Sequence, residues 1–276
     1  EERKHDFIQQ ESYLNQALQQ IDQIYFNIHD SLNYAKRFQE ATLPRVESIK
    51  QKFDDSFILL KPKEVVSGDF YWFQQIEEDK ILIAALDCTG HGVPGAFMAM
   101  LGNELLDSIV NRQKIYEPHV VLKELHRGVR MFLRQAENNN RDGMDGAVCL
   151  IDKQQMILEY AGAHNPILVI QNQEALLLSP NTFAIGGYEK EGERNFTKQS
   201  LALHPGATMY LYTDGYHDQV GGPDHRRFMA SRLRRMLCKL YHKPMPEQKK
   251  ILDKVIEYWM KGKPQLDDML IMGLRI

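Results

Sequence analysis

Residues 81–100 have the sequence ILIAALDCTGHGVPGAFMAM, in which a strand pattern is followed by a helix pattern. The run Ile81–Leu86 is short and uniformly apolar, as expected for a buried strand. Asp87 ends that run, and glycines with Pro94 follow where a tight turn would lead into a first helical turn. A carboxylate at the end of a buried strand is costly unless it is paired or binds a metal. The segment therefore predicts a strand, a turn and a helix, with Asp87 as a candidate functional residue.

Strands and helices on either side of this segment complete a mixed pattern. Short links between consecutive strands favour antiparallel pairing. Pairs of helices between blocks of strands indicate sheets whose outer faces are covered by helices. The predicted fold class is therefore α+β, an antiparallel β-sandwich flanked by helices. Strands are predicted at 57–60, 70–76, 81–86, 147–152, 156–161, 167–171, 176–178, 196–203, 209–213 and 269–276, helices at 96–110, 118–136, 226–241 and 246–261, and a polar loop at 137–146.

Three more aspartates lie in similar surroundings. Asp69 starts an aromatic strand, Asp214 ends the apolar run 209–213, and Asp267 begins the last strand. A solvated strand end is the ordinary explanation for each alone, whereas four such sites in one domain indicate a shared role. Oxygen ligands, without histidine or cysteine at ligand spacing, favour Mg²⁺ or Mn²⁺ over Zn²⁺. Two such ions can hold a bridging water and clamp a phosphoryl group for in-line attack.

The first forty residues have a different pattern. No glycine or proline occurs between Phe7 and Ala35, and apolar residues recur there every seven residues. One core position holds Phe7, Leu14, Ile21, Ile28 and Ala35, and the other holds Leu18, Tyr25 and Leu32, with Glu11 as the exception. This spacing is typical of a coiled coil, and the alternative is one amphipathic helix packed on its own domain. We predict a coiled-coil linker at 1–44 that forms a homodimer, ended by Pro44, and a globular domain at 45–276.

The composition excludes several classes of function. A net charge of −3 over 276 residues gives no electrostatic reason to expect nucleic acid. No apolar run reaches the roughly 18 residues needed for insertion into a membrane. Three scattered cysteines indicate neither a disulfide framework nor a zinc site, so we expect reduced thiols and a cytoplasmic location. Because the chain opens on Glu1 without a signal peptide, we expect a fragment of a longer protein, such as one with a sensor domain.

Six motifs in order give the sequence a specific resemblance. They are Val66–Tyr71, Asp87–Ala96, Asp142–Asp145, Ala161–Pro166, Tyr212–Gly215 and Asp267–Met269. With the junction 31–44, they resemble the SpoIIE-like (RsbU-type) branch of the PPM (type 2C) metal-dependent protein serine/threonine phosphatases. The similarity covers nearly all of residues 31–276. Leu270 departs from the branch, which commonly has a threonine at that position.

The resemblance implies the PPM phosphatase fold and a ligand set for two Mn²⁺ or Mg²⁺ ions. Asp87 would bridge the ions, and the main-chain carbonyl of Cys88 would reach the second. Asp214 and Asp267 would hold the first ion, and Asp69 would hold the second. The implied reaction is hydrolysis of phosphoserine or phosphothreonine by a metal-activated water.

Four neighbouring residues have roles that the sequence leaves open. His91 would donate a proton to the leaving serine oxygen, or would only shape its loop. Asp268 is adjacent to Asp267, and only one of the pair need bind a metal; Asp267 is our choice, with a structural hydrogen bond for its neighbour. Asp142 or Asp145 would serve a third, weaker metal position.

The resemblance also implies partners. Members of this branch are bacterial, typically act on a phosphorylated anti-sigma-factor antagonist, and are often controlled by an upstream sensor domain. We therefore expect regulation through the N-terminal helix. One alternative is a catalytically silent scaffold that binds phosphoproteins, which retention of all four aspartates disfavours. A second is a hydrolase of small phosphoesters, which no nucleotide-binding loop supports.

Overall fold

Two antiparallel sheets form the centre of the computed structural model, which describes residues 2–44, 46–187 and 194–276. The first sheet contains five strands. In spatial order they are β1 (Ser56–Lys61), β13 (Met269–Arg275), β10 (Thr208–Tyr212), β6 (Ile167–Gln171) and β7 (Glu174–Leu178). The register pairs Leu60 with Leu270 and Tyr212 with Ile271, so the first and last strands of the sequence are neighbours.

The second sheet contains the strand predicted from residues 81–86. Its strands in spatial order are β2 (Phe70–Gln75), β3 (Lys80–Cys88), β4 (Gly143–Asp152), β5 (Ile157–Ala163) and β9 (Gln199–Ala202), and β8 (Ile185–Gly186) also pairs with β4. A separate two-stranded ribbon is formed by β11 (Val220–Gly221) and β12 (Arg226–Arg227).

Helices cover the outer faces of both sheets. The helices of the domain are α2 (Val46–Lys50), α3 (Gly92–Asp107), continued by a π-helical turn Ser108–Arg112, α4 (Pro118–Phe132), α5 (Gly215–Asp218), α6 (Ala230–Leu240) and α7 (Met245–Met260). Residues of α3 and α4 pack on the second sheet, and residues of α6 and α7 pack on the first. The α+β sandwich flanked by helices is therefore confirmed.

Strand β3 shows why its sequence is continuously apolar. Ile81, Ile83 and Ala85 pack between the two sheets, whereas the alternate residues face α3 and α4. Because successive strand side chains point to opposite faces, covering both faces requires every position to be apolar. The pattern ends at Asp87, where β3 reaches the edge of the sandwich.

Three of the differences between observed and predicted elements have a clear structural cause. Strand β4 begins at Gly143, inside the predicted loop 137–146, because these residues continue the ladder with β3. Helix α4 ends at Phe132 rather than at residue 136, because the chain leaves helical geometry at Arg134, which has a φ of 50°. Helix α6 begins at Ala230 rather than at 226, because Arg226 and Arg227 pair with β11 and Met229 has a φ of 78°.

The long helix α1 (Glu2–Thr42) leaves its apolar residues exposed. The α1 seam, defined here as Phe7, Leu14, Leu18, Ile21, Tyr25 and Ile28, is 49–70% exposed. This contradicts the alternative in which the helix packs these residues on its own domain. A partner helix remains a prediction, as does the domain boundary at 44/45, where Arg45 lies outside the described residues. Within the described part of the chain, no helix combines the length and apolarity needed to cross a membrane.

Candidate metal-binding site

A cavity of about 350 Å³ opens where strands of both sheets end. Asp87 and Cys88 enter its lining from the end of β3, and Asp145 from the start of β4. Asp214 follows β10, and Asp267 precedes β13. We call this the carboxylate cavity. It brings together three of the four predicted aspartates, while Asp69 lies buried directly beside Asp87.

Strand register places these residues near one another. Asp87 is the direct cross-strand partner of Asp145, because β3 and β4 pair to the end of β3. The Thr213 amide donates to the Leu270 carbonyl at 3.0 Å, which holds the end of β10 beside the start of β13. Gly215 follows Asp214 because a Cβ at this position would collide with the Asp268 carbonyl. Antiparallel pairing thus explains how residues distant in sequence share one cavity.

Asp87 occupies the centre of the aspartate group. Its carboxyl group lies beside those of Asp69 and Asp214 and interacts with both. Burial, together with the negative charges of Asp214, Asp267 and Asp145, raises the pKa of Asp87 to about 8. A proton or a cation is needed to offset such a concentration of charge. This central position is the one that a bridging ligand would occupy.

The pKa values of the two aspartates beside Asp87 are also raised. Burial raises the pKa of Asp214 to about 6, with repulsion from Asp218, Asp267 and Asp145 as the next causes. Burial and the charge of Asp87 raise the pKa of Asp69 well above its usual value. The Thr213 hydroxyl donates to Asp69 Oδ2 at 2.6 Å and fixes one carboxylate oxygen.

The adjacent acids Asp267 and Asp268 have different environments. Asp268 is buried, and its two oxygens accept the backbone amides of Lys63 and Gly68, each at 2.7 Å. Asp267 is exposed in the cavity wall, and its Oδ1 accepts the Asp268 amide at 2.9 Å. The geometry therefore favours Asp267 as the ligand and Asp268 as a structural acceptor; the ligand assignment itself stays a prediction.

The structure does not bring His91 into the carboxylate cavity. Its Nδ1 lies 2.7 Å from Glu64 Oε1, and its Nε2 lies 2.7 Å from Lys63 Nζ. Both ring nitrogens are therefore engaged on the far side of the loop that follows Asp87. The cavity wall contains a different histidine, His164, whose Nδ1 is 2.9 Å from Asp145 Oδ1. The sequence favours a turn at His164, with substrate contact as the minor alternative, so His164 is not among the predicted site residues; its place in the motif Ala161–Pro166 was the available signal.

The two candidates for a third metal position are also separated. Asp145 lines the cavity, whereas Asp142 Oδ2 accepts the Asn140 side-chain amide at 2.8 Å within its loop.

Burial raises the pKa of the Cys88 thiol well above its ordinary value, so this thiol stays protonated. Only its main-chain carbonyl is then available as a hard oxygen ligand.

The donor set fits divalent cations in kind, because carboxylate and carbonyl oxygens are the ligands that Mg²⁺ and Mn²⁺ prefer. Among the described residues, however, no three His, Cys, Asp or Glu side chains already converge into a cluster that could hold an ion. Binding would therefore require rotation of carboxylates on a backbone that already points them toward one cavity.

Comparison with known proteins agrees with this architecture. Residues 77–276 match the family described as Stage II sporulation protein E (SpoIIE). The chain is 27% identical over 198 residues to phosphoserine phosphatase RsbP of Bacillus subtilis (strain 168), covering 71% of this chain and 47% of that protein. It thus spans about half the length of this curated relative.

Two solved structures show the same fold. The SiaA-PP2C domain of Pseudomonas aeruginosa is 32% identical with a TM-score of 0.82, and the similarity covers 91% of this chain and 97% of that domain. The PP2C phosphatase domain of SpoIIE from Bacillus subtilis is 19% identical with a TM-score of 0.65, covering 80% and 63% of the two chains.

Proposed function

The chain belongs to the SpoIIE family, a branch of the PPM (PP2C-type) serine/threonine phosphatases, and from this premise we propose that it hydrolyses phosphoserine or phosphothreonine in a protein partner. The observation that carries the proposal is the central Asp87, which lies beside Asp69 and Asp214 in a group of carboxylates at one open cavity. The similarity to a phosphoserine phosphatase supports phosphoserine as the substrate group.

Two Mn²⁺ or Mg²⁺ ions would be held by the residues that the family resemblance implies. Asp87 would bridge them, Asp214 and Asp267 would complete the first position, and Asp69 with the Cys88 carbonyl would serve the second. When bound, such ions supply a water of lowered pKa and a clamp for phosphoryl oxygens. Asp145 would serve the weaker third position, since it lines the same cavity.

The remaining residues of the site position these ligands. Thr213 fixes one oxygen of Asp69, which leaves the other free to point toward the cavity. Asp268 ties the backbone at Lys63 and Gly68 to the start of β13. Proton donation by His91 remains a prediction, and it requires the ring to leave Glu64 or Lys63. Holding the ligands in place in this way lowers the activation barrier of hydrolysis, because the ligands need not become ordered during the reaction.

The proposal also covers regulation and partners. The exposed α1 seam supports a homodimer through the N-terminal helix at 1–44, joined to a phosphatase domain at 45–276. Through this helix, an upstream sensor domain would alter the site. The substrate would be a phosphorylated partner of the anti-sigma-factor antagonist type, in the cytoplasm. The sensor domain, the type of substrate and the location are supported by the family resemblance alone.

Phosphate release tests the proposal directly. We expect turnover of a phosphoserine protein in Mn²⁺, its loss in excess chelator, and its loss in Asp87→Asn. Asp79→Asn is a matched control, since Asp79 is exposed at the turn between β2 and β3. An absence of turnover with either metal would favour the phosphoprotein-binding scaffold instead. Turnover of an aryl phosphate with none of the phosphoprotein would favour the small-ester hydrolase.

A further inference from the structure

Positive charge is concentrated in the part of the chain that follows α5. From His225 to Pro246 the sequence has seven arginines and lysines and no aspartate or glutamate, although the whole chain has a net charge of −3. This stretch includes β12 and all of α6. Segregation of charge in this way gives one surface a positive potential that the near-neutral composition conceals.

Four of these cations are exposed and form what we call the α6 basic face: Arg226, Arg232, Arg235 and Lys239. The last three lie on one side of α6, because positions i, i+3 and i+7 of a helix face the same way. In the described part of the chain, the ion pairs of this stretch are those of Arg227 with Asp218 and of Lys243 with Glu247. The four positive charges of the face are therefore not neutralised by a described carboxylate.

Trp259 of α7 joins the two parts of the α6 basic face. The guanidinium carbon of Arg232 lies 4.5 Å from the centre of the Trp259 ring, a cation–π contact. The ribbon packs on the same side chain, since a Cβ at Gly221 would lie 2.6 Å from Trp259 Cδ1. Gly221 is the cross-strand partner of Arg226. Ribbon and helix thus form one surface around the indole.

Backbone hydrogen bonds attach this surface to the segment that follows Asp214. The Met229 amide, just before α6, donates to the His217 carbonyl at 2.7 Å, and the Phe228 amide donates to the Gln219 carbonyl at 2.9 Å. His217 belongs to α5, which begins directly after Asp214. Asp214 itself lines the carboxylate cavity. The α6 basic face is therefore anchored on the segment that carries a predicted metal ligand.

We propose that the α6 basic face docks acidic side chains that flank the phosphorylated residue of the protein substrate. Charge complementarity supports this partner, because exposed and unneutralised cations attract a negatively charged protein surface. Charges at the margin of an interface act on capture and specificity more than on the chemical step. The inference deepens the proposed function and rests on it. A face that was merely solvated would give no preference for flanking acids.

The test compares two peptides with one phosphoserine each, flanked by glutamates in one and by glutamines in the other. The variant Arg226→Glu/Arg235→Glu reverses two charges of the face and leaves the Arg232 stack on Trp259 intact. The control variant Lys50→Glu/Lys52→Glu reverses two charges elsewhere on the surface of the full chain. The quantity compared is the ratio of kcat/KM for the acidic peptide to kcat/KM for the neutral one.

The control residues lie at the opposite edge of the sandwich from the cavity. Lys153 Nζ donates to the Lys52 carbonyl at 2.8 Å. Lys153 directly follows Asp152, which pairs with Lys80 at the start of β3. The carboxylate cavity lies at the other end of this strand, where Asp87 is found.

At low ionic strength we expect the wild-type ratio to be about 10, since several weak exposed contacts act together. It should fall to about 1 in Arg226→Glu/Arg235→Glu and stay at about 10 in the control. In the wild type it should also approach 1 as salt rises from about 0.02 M to about 0.5 M, because salt screens exposed charges. A general loss of activity cancels in this ratio, and the salt series needs no variant.

A wild-type ratio near 1 at low ionic strength overturns the inference, as does a ratio that survives either charge reversal or high salt. If the wild type hydrolyses neither peptide, the proposed function fails. Fluorescence anisotropy of the labelled peptides in chelator then decides the docking role by the ratio of the two affinities, without metal or turnover. Sedimentation with phosphatidylserine vesicles that depends on Arg226 and Arg235, without preference for the acidic peptide, would assign the face to a lipid surface instead.

Discussion

The carboxylate cavity and the α1 seam depart from ordinary burial in opposite directions. At the cavity, Asp69, Asp87 and Asp214 are buried deeply enough to raise their pKa values. Along the seam, large apolar residues such as Phe7 and Ile21 are at least 60% exposed. Buried charges and exposed apolar stripes both cost free energy unless a partner offsets them. From this comparison we expect a partner from outside the chain at each region, a cation at the cavity and a second helix at the seam.

The largest effects should separate Asp267 from Asp268 within the cavity. Asp267→Asn should lower turnover at limiting Mn²⁺ by at least about 100-fold, since loss of a ligand should exceed the 10- to 100-fold effect of its support. Its stability should hardly change, because Asp267 is exposed. Asp268→Asn should instead lower the free energy of unfolding by about 1–3 kcal/mol, because two buried amides share that carboxylate.

Mn²⁺ titrations of turnover and urea unfolding in chelator measure both quantities. A variant Asp268→Asn with normal stability and lost metal binding would reverse the assignment. Asp79→Asn, at an exposed turn, serves as the control for both measurements.

A charge in the α1 seam tests the other region. Ile21→Asp should weaken the homodimer by more than about 100-fold, because a coiled-coil core would have to bury an unpaired carboxylate. The fold of the domain should be unaffected, since Ile21 is 60% exposed in the single chain. Sedimentation across a concentration series measures the dimer dissociation constant. Gln16→Asp is the control, because Gln16 is exposed on the same helix outside the α1 seam. An oligomeric state identical in Ile21→Asp and wild type would show that the seam has no helical partner.

The stability of the chelated protein should depend on pH through the cavity. The folded pKa of Asp87 is raised to about 8 and that of Asp214 to about 6 from an ordinary 3.8. The folded state therefore binds protons more tightly than the unfolded state. This contribution to stability should be fully present below about pH 4 and should be lost, by on the order of a few kcal/mol, as the pH rises through about 6 to about 8.

Urea unfolding in chelator at several pH values tests this dependence. Saturating Mn²⁺ should reduce the decline, because a bound cation offsets the same negative charges. Stability that rises between pH 5 and pH 8 in chelator would contradict the electrostatic description of the cavity.

The smallest effect is expected for an ion pair whose carboxylate, Asp218, repels Asp214. Arg227 Nη1 lies 2.8 Å from Asp218 Oδ2, and both side chains are more than a third exposed. Arg227→Ala should change the free energy of unfolding by less than about 1 kcal/mol. Thermal unfolding in chelator measures this, and a larger loss would show that this pair is coupled to the buried aspartates.

Much of the fold could be predicted from the sequence because both faces of its central strands are covered. Strands such as β3 and β6 are short apolar runs, and their positions agree with the prediction within a few residues. The start of β4 could not be predicted, because Gly143 and Asp145 are polar or small and become a strand only by pairing with β3. The start of α6 could not be predicted for a similar reason, since the pairing of Arg226 with β11 depends on a tertiary contact.

The site was predicted in part. The candidate aspartates came from strand ends and motif order, but their convergence depends on register between distant strands. The engagement of His91 by Glu64 and Lys63 has no signature in local sequence, and the motif Ala161–Pro166 alone does not show that His164 lies in the cavity wall. Two hydrogen bonds join the Gln39 side chain to the main chain of Ser67, 28 positions away, and only the packing of α1 on the domain creates them.

The sequence by itself determined the element types, the apolar core, the heptad pattern and the family, because these follow from local periodicity and motif order. Only the tertiary structure decided which carboxylates share a cavity, that Asp268 accepts two backbone amides, and that Gln39 of α1 bonds to the main chain of Ser67. Periodicity specifies which face of an element is apolar, whereas strand register and the path of the chain determine which polar groups meet at its ends.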